Sequence, residues 1–137
     1  ARRMAVRYDS ATLNVNLKGF VLLPVGLQVM LLDLAYNVGV HKVIRFKKLR
    51  AGIASSDYPA IRMETLDTAN VRGKTVKGIA VRRARMVNLS SEDEDIITFV
   101  QQDEDGTITY FGIDESVLKQ YRRDRHPNST PGIVEIS

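Results

Sequence analysis

The 137-residue sequence predicts a mainly α protein with a small C-terminal β-hairpin plus helix, and three observations carry that prediction. Apolar residues recur at spacings of three and four through most of residues 27–89, the period of helices that bury one side. Strings rich in β-branched and aromatic residues, 96–100 and 107–111, come only after Ser90 and flank turn-forming residues 103–106. The composition, 44% hydrophobic and 26% charged, is that of a chain able to bury a core in water.

Taken in order, the first strong helix is 27–38, where Leu27, Val29, Met30, Leu31, Leu32, Leu34, Ala35 and Val38 cover nearly the whole circumference. That pattern predicts a buried central helix. Pro24 and Gly26 stand before it and Gly39 after it, Gly39 as the C-cap because glycine tolerates the left-handed backbone that ends helices. A second, amphipathic helix is expected over 41–51, with Val43, Ile44, Phe46 and Leu49 inward and Lys47, Lys48 and Arg50 outward. Ser55, Ser56 and Asp57 offer capping oxygens to a third helix that has Pro59 in its first turn and runs to about Leu66.

Residues 70–73 read as a break, and a fourth helix starts at Lys74 or Thr75 and ends near Leu89 and Ser90. It carries Val76, Ile79, Ala80, Arg83, Met86 and Val87 at spacings of three and four, and arginine dominates its polar face. The acidic run 92–95 reads as a solvated loop leading into the hairpin. Asp114 then caps a last helix over 115–123, and 127–131 form a loose, proline-punctuated tail. Residues 1–89 are thus expected to form a helical lobe and residues 90–137 an extension.

Composition also narrows function. The net charge of +4 favours polyanions, and nucleic acid, anionic membrane and the bacterial wall all qualify. The longest apolar stretch, 19–30, is interrupted by Pro24, Gly26 and Gln28 and is too short to span a bilayer. Residues 1–12 run from basic to polar without the apolar core of a secretory leader. Having no cysteine, the chain can form neither disulfides nor thiolate metal sites, and it lacks a thiol nucleophile. His41 and His126 lie far apart, so no metal site is expected, and no cofactor.

The most specific feature is Leu23-Pro24-Val25-Gly26-Leu27-Gln28, followed after the apolar helix by Tyr36-Asn37-Val38-Gly39. This segment resembles the signature of phage-type lysozymes and endolysins, and of the related muramidase domains of secreted bacterial effectors. The resemblance continues through residues 46–52 and 57–60 to Gly78-Ile79-Ala80-Val81-Arg82-Arg83, and covers about residues 18–89. It implies a lysozyme-like helical lobe that acts on the bacterial wall after delivery by a phage or a secretion system. The activity it implies is hydrolysis of the peptidoglycan glycan strand.

By the same resemblance, Arg83 corresponds to the arginine that leans toward the general acid, with Arg82 beside it, and Tyr36 and Asn37 become sugar contacts. A guanidinium beside a carboxylic acid stabilises its charged form and fixes its position. Plainer readings stand next to these: the arginines solvate a helix face, Asn37 caps, and Tyr36 packs.

Departures from the family pattern bear on catalysis. Glycosidic bond cleavage generally needs two carboxyl groups flanking the bond. In the family these lie upstream of the Leu-Pro segment, where this sequence has Asp9 and no glutamate, so no catalytic residue is identified in it. The chain is therefore expected to be inactive without a complementary catalytic segment that supplies glutamate. Met86 stands where related endolysins often have an acid, and tryptophan is absent. Residues 96–123 have no counterpart in the family core and are open to roles as an accessory element, a docking site for an immunity or delivery partner, or a small wall-binding piece. The alternative function is a non-catalytic binding module that uses Lys77, Arg82, Arg83 and Arg85 to hold wall or protein. Nucleic acid is disfavoured as a partner, because the basic residues are scattered and no nucleic-acid motif is present.

Overall fold

The structure, a computed structural model, describes residues 2–71, 74–75, 77–91, 96–102, 104, 108–112 and 134–135. The chain divides into two compact units, Ala1–Thr65 and Leu66–Ser137. The mainly helical class with a C-terminal hairpin is what the structure shows.

The first unit opens with α1, Arg2–Asn16, followed by one 3-10 turn, Phe20–Leu22. Then come α2 (Val25–Val38), α3 (Val40–Val43), α4 (Lys47–Ala54) and α5 (Tyr58–Asp67), the last ending in the second unit. The core gathers Leu13 and Leu17 with Phe20, Leu23, Leu27, Met30, Leu31, Leu34, Val43, Leu49, Ile53 and Ile61. Each such side chain contributes about 1.5–3 kcal/mol by leaving water.

Three features of this unit correct the sequence reading. No helix was expected over residues 2–16; its polar composition conceals it, because among the described side chains only Asp9, Leu13 and the following Leu17 are buried, one every fourth residue. α2 is buried on one stripe, Leu27, Met30, Leu31, Leu34 and Ala35, while Val25, Val29 and Tyr36 are exposed. The expected helix 41–51 is two helices, since Arg45 and Phe46 close the end of α3 with tightened bonds to Lys42 and Val43 and Phe46 then turns extended at φ −72°, ψ 102°. Inward residues continue across that break as Val40, Val43, Leu49 and Ile53, so periodicity alone does not register it.

α4 ends in a Schellman arrangement. The Ser56 N–H donates to the Ile53 carbonyl (3.2 Å), the Asp57 N–H to that of Gly52 (2.9 Å), and Ser56 takes the left-handed conformation at φ 55°. Of the three capping candidates, Asp57 caps α5, its Oδ1 accepting from the Ala60 N–H at 3.2 Å. At Gly19 (φ 91°) the backbone passes so close to the end of α4 that a Cβ would lie 2.8 Å from the Ile53 carbonyl oxygen.

In the second unit β1 (Asn70–Val71) and β2 (Lys74–Thr75) pair antiparallel. The expected helix start at Lys74 is therefore strand, and α6 runs Lys77–Ser90. A second sheet has the order β4-β3-β5, with β3 Phe99–Gln102, β4 Ile108–Phe111 and β5 Val134–Glu135, all antiparallel. The expected hairpin is present, and a third strand joins it from beyond the tail. The expected last helix, 115–123, the tail 127–131 and most of the turn 103–106 lie outside the described residues.

The first hairpin strand starts three residues later than its β-rich string, and buried Asn88 on α6 supplies the reason. Its Oδ1 accepts from the N–H groups of Ile96 (3.0 Å) and Ile97 (2.8 Å), and its Nδ2 donates to the Ile97 carbonyl (2.9 Å). With that backbone committed to α6, bonding to β4 begins at Thr98, whose N–H reaches the Phe111 carbonyl at 2.8 Å. Tyr110 is buried and donates its hydroxyl to the Leu66 carbonyl at 3.2 Å.

Candidate functional site

The two arginines singled out from the sequence are neighbours on α6 with opposite fates. Arg83 is only 2% exposed, and its Nε donates to Thr68 Oγ1 at 3.0 Å. Arg82 is exposed, as is Arg85. Neighbouring helix positions lie about 100° apart around the axis, so an inward Arg83 turns Arg82 away from the core. A guanidinium buried this deeply acts through the groups packed on it; Thr68, just beyond α5, is the partner that the sequence reading missed.

Tyr36 and Asn37 occupy the last turn of α2 in the other unit. The Tyr36 side chain is 46% exposed. Asn37 is exposed, with its Nδ2 donating to the Asp33 carbonyl at 2.6 Å, which leaves Oδ1 as an outward acceptor. The structure thus brings together Tyr36 with Asn37 and Arg82 with Arg83, each pair within its own unit.

Other signature residues build the backbone. Pro24 precedes α2, and its carbonyl receives the N–H groups of Leu27 (3.0 Å) and Gln28 (3.1 Å). The Gln28 amide reaches back to the carbonyls of Leu23 (2.8 Å) and Val21 (3.3 Å), tying the 3-10 turn to the helix it precedes. Gly39, at φ 97° and ψ 131°, joins α2 to α3 in a conformation that side-chain-bearing residues rarely adopt.

Asp9, the lone acid before Leu23, is buried on α1. The acidic run 92–95 and His126 lie outside the described residues. His41 is exposed on α3, and its Nε2 is 3.0 Å from the Tyr8 hydroxyl of α1, with the rings edge to face at 6.1 Å. On α5, partial burial pulls the Arg62 guanidinium below its ordinary pKa. Among the described residues no group of three or more histidines or acids is placed to hold a metal ion, and no helix is long and apolar enough to cross a membrane.

A concavity of about 540 Å³ lies in the first unit, lined by Asn16, Lys18, Lys47, Arg50, Ala51 and Ala54. The sequence reading placed Lys47 and Arg50 outward on a helix but could not bring Lys18 to them. The signal available was the spacing 47, 50, 51 and 54, a single stripe of one helix.

No family model and no solved structure matches the chain. The sequence is similar to the peptidoglycan hydrolase gp36 of Enterobacteria phage SP6, being 33% identical over 85 residues. That stretch is 61% of this chain and 9% of the phage protein, so the chain spans a small part of the curated relative it matches.

Proposed function

We propose that this chain is the helical part of a peptidoglycan-degrading protein of the muramidase type, one that hydrolyses the glycan strand of the bacterial wall. The carrying observation is the 33% identity over 85 residues to a phage peptidoglycan hydrolase. The lysozyme-like signature, Leu23-Pro24 through Tyr36-Asn37-Val38-Gly39 and on to Arg82-Arg83, supports the same reading.

In this reading the wall is met from outside the cytoplasm after delivery, and the catalytic glutamate comes from a segment other than residues 1–137. Exposed Tyr36 and Asn37 present an aromatic face and an amide oxygen to sugar, the chemistry by which glycans are held. Arg83, fixed by Thr68, is a positioning residue for the general acid, and exposed Arg82 supplies a charge that reaches solvent. The general acid protonates the leaving oxygen, and water adds to the sugar carbon, so each cut adds one water and leaves a new reducing end.

The test is release of soluble fragments from purified peptidoglycan, read by mass spectrometry, with the chain alone and with the segment encoded upstream of Ala1 added. Release only with the added segment, each product carrying one extra water, is expected. Wall binding without release in both cases would replace this reading with that of a non-catalytic wall-binding module on the same scaffold.

A further inference from the structure

We propose that the concavity between the end of α1 and α4 is an anchoring site for the carboxylate-bearing stem peptides of peptidoglycan, separate from the residues that serve bond cleavage. The inference rests on the wall-directed reading above and names which part of the wall the first unit grips.

Lys47, Arg50, Ala51 and Ala54 fall at positions 0, 3, 4 and 7 of one helix and form one wall of the concavity. Lys18 and Asn16 form the other, from the last turn of α1 and the bend that follows it. The two walls approach closely at Gly19, where a Cβ would lie 2.8 Å from the Ile53 carbonyl oxygen and 3.4 Å from Ala54 Cα. Lys18 is therefore held beside α4. Asn16 is anchored too, its Nδ2 bonded to the Thr12 carbonyl at 2.9 Å with Oδ1 left to accept.

Three cations line the opening, and no carboxylate among the described residues pairs with Lys18, Lys47 or Arg50. The α4 wall also carries two exposed alanines, Ala51 and Ala54. Separate ammonium and guanidinium groups around a volume of about 540 Å³ suit several carboxylates spread along a short chain better than one compact anion. The alanine methyls of the α4 wall suit small apolar side chains between those carboxylates, and the Asn16 amide oxygen can accept from a peptide N–H. Stem peptides, alanine-rich and ending in free carboxylates, combine these features; a bare glycan strand offers no such row of charges.

The experiment titrates the full chain, followed by amide chemical shifts, with a soluble disaccharide-tetrapeptide and with the same disaccharide after its stem is removed. The stem-bearing probe is expected to shift residues 16–19 and 47–54, more weakly as salt rises, while the stem-free probe leaves them unmoved. The triple variant Lys18→Gln, Lys47→Gln, Arg50→Gln, whose side chains are all exposed, is expected to bind at least about tenfold more weakly. Ala51→Leu, which adds bulk to the lining without changing charge, is expected to weaken binding comparably. Equal binding of the stem-free probe, or undiminished binding by the triple variant, would overturn the proposal. So would tighter binding of an equally charged DNA oligomer at the same residues. If the stem titrates the concavity while the completed protein releases nothing from the wall, the cleavage reading fails and the anchoring site stands.

Discussion

Replacing Asn88 by alanine removes the three hydrogen bonds by which α6 holds the chain just before β3. Ile97 is fully buried, so its N–H and carbonyl lose their partners without gaining water, at about 1–3 kcal/mol each. The Ile96 N–H is half-buried and recovers part of its bonding from solvent. The expected loss is about 3–5 kcal/mol, a large share of the roughly 5–15 kcal/mol that stabilises a domain. In urea the midpoint of the second unit should fall by about 1.5–2.5 M, given a slope of about 2 kcal/mol per M. Amide exchange gives the finer readout, with protection lost over 97–102 and 108–111 and retained in α2. Asn88→Asp keeps both accepting bonds and puts an oxygen 2.9 Å from the Ile97 carbonyl, so it should fall between wild type and alanine. A loss under about 1 kcal/mol for Asn88→Ala would show that apolar packing of Ile97, Val100 and Ile108 holds the strands, and the hydrogen-bond argument would be wrong.

Five further substitutions test the local reasoning. Gly19→Ala forces both a disfavoured backbone and a 2.8 Å contact with the Ile53 carbonyl, and thermal melting should show a loss of about 2–4 kcal/mol. Ser56→Gly relieves the left-handed conformation at the end of α4 and should raise stability by about 0.5–1 kcal/mol in the same assay. Gln28→Ala frees the carbonyls of Val21 and Leu23, with an expected cost of about 1–2 kcal/mol by denaturant titration. Arg82→Ala should leave stability within about 0.5 kcal/mol, whereas Arg83→Ala should cost about 2–4 kcal/mol, so in the assay of the proposed function only an Arg82 effect can be separated from unfolding.

What the sequence made legible was whatever a single segment specifies. α2 was found within two residues because Pro24 and Gly39 bracket a segment dense in apolar residues, and the α5 cap was found because Asp57 acts three residues away. α1 escaped because its helix depends on Leu13 and Leu17 meeting the rest of the first unit, and the intervening residues are polar. β5 escaped because a two-residue strand is defined by its partner β3 and not by its own pattern. The candidate site shows the same division. The positions of Arg82 and Arg83 on one helix followed from spacing, but the burial of one beside the exposure of the other is decided by packing around Thr68. Lys18 and Lys47 are 29 positions apart, and the close approach of Gly19 to the end of α4 brings them to one concavity.

Gly39 carries a wider consequence. A Cβ built there meets nothing within 4 Å, so the demand for glycine comes wholly from the corner between α2 and α3 at φ 97°. Pro24 and Gln28 are likewise occupied with backbone, at the opposite end of α2. A genome search keyed to this Leu-Pro, Gln, Asn-x-Gly pattern therefore selects for the corner and the turn that frame one helix. Under the function proposed above, proteins that have exchanged cutting for gripping should be recovered by it as readily as active enzymes, and sorting them requires reading the carboxylates carried elsewhere.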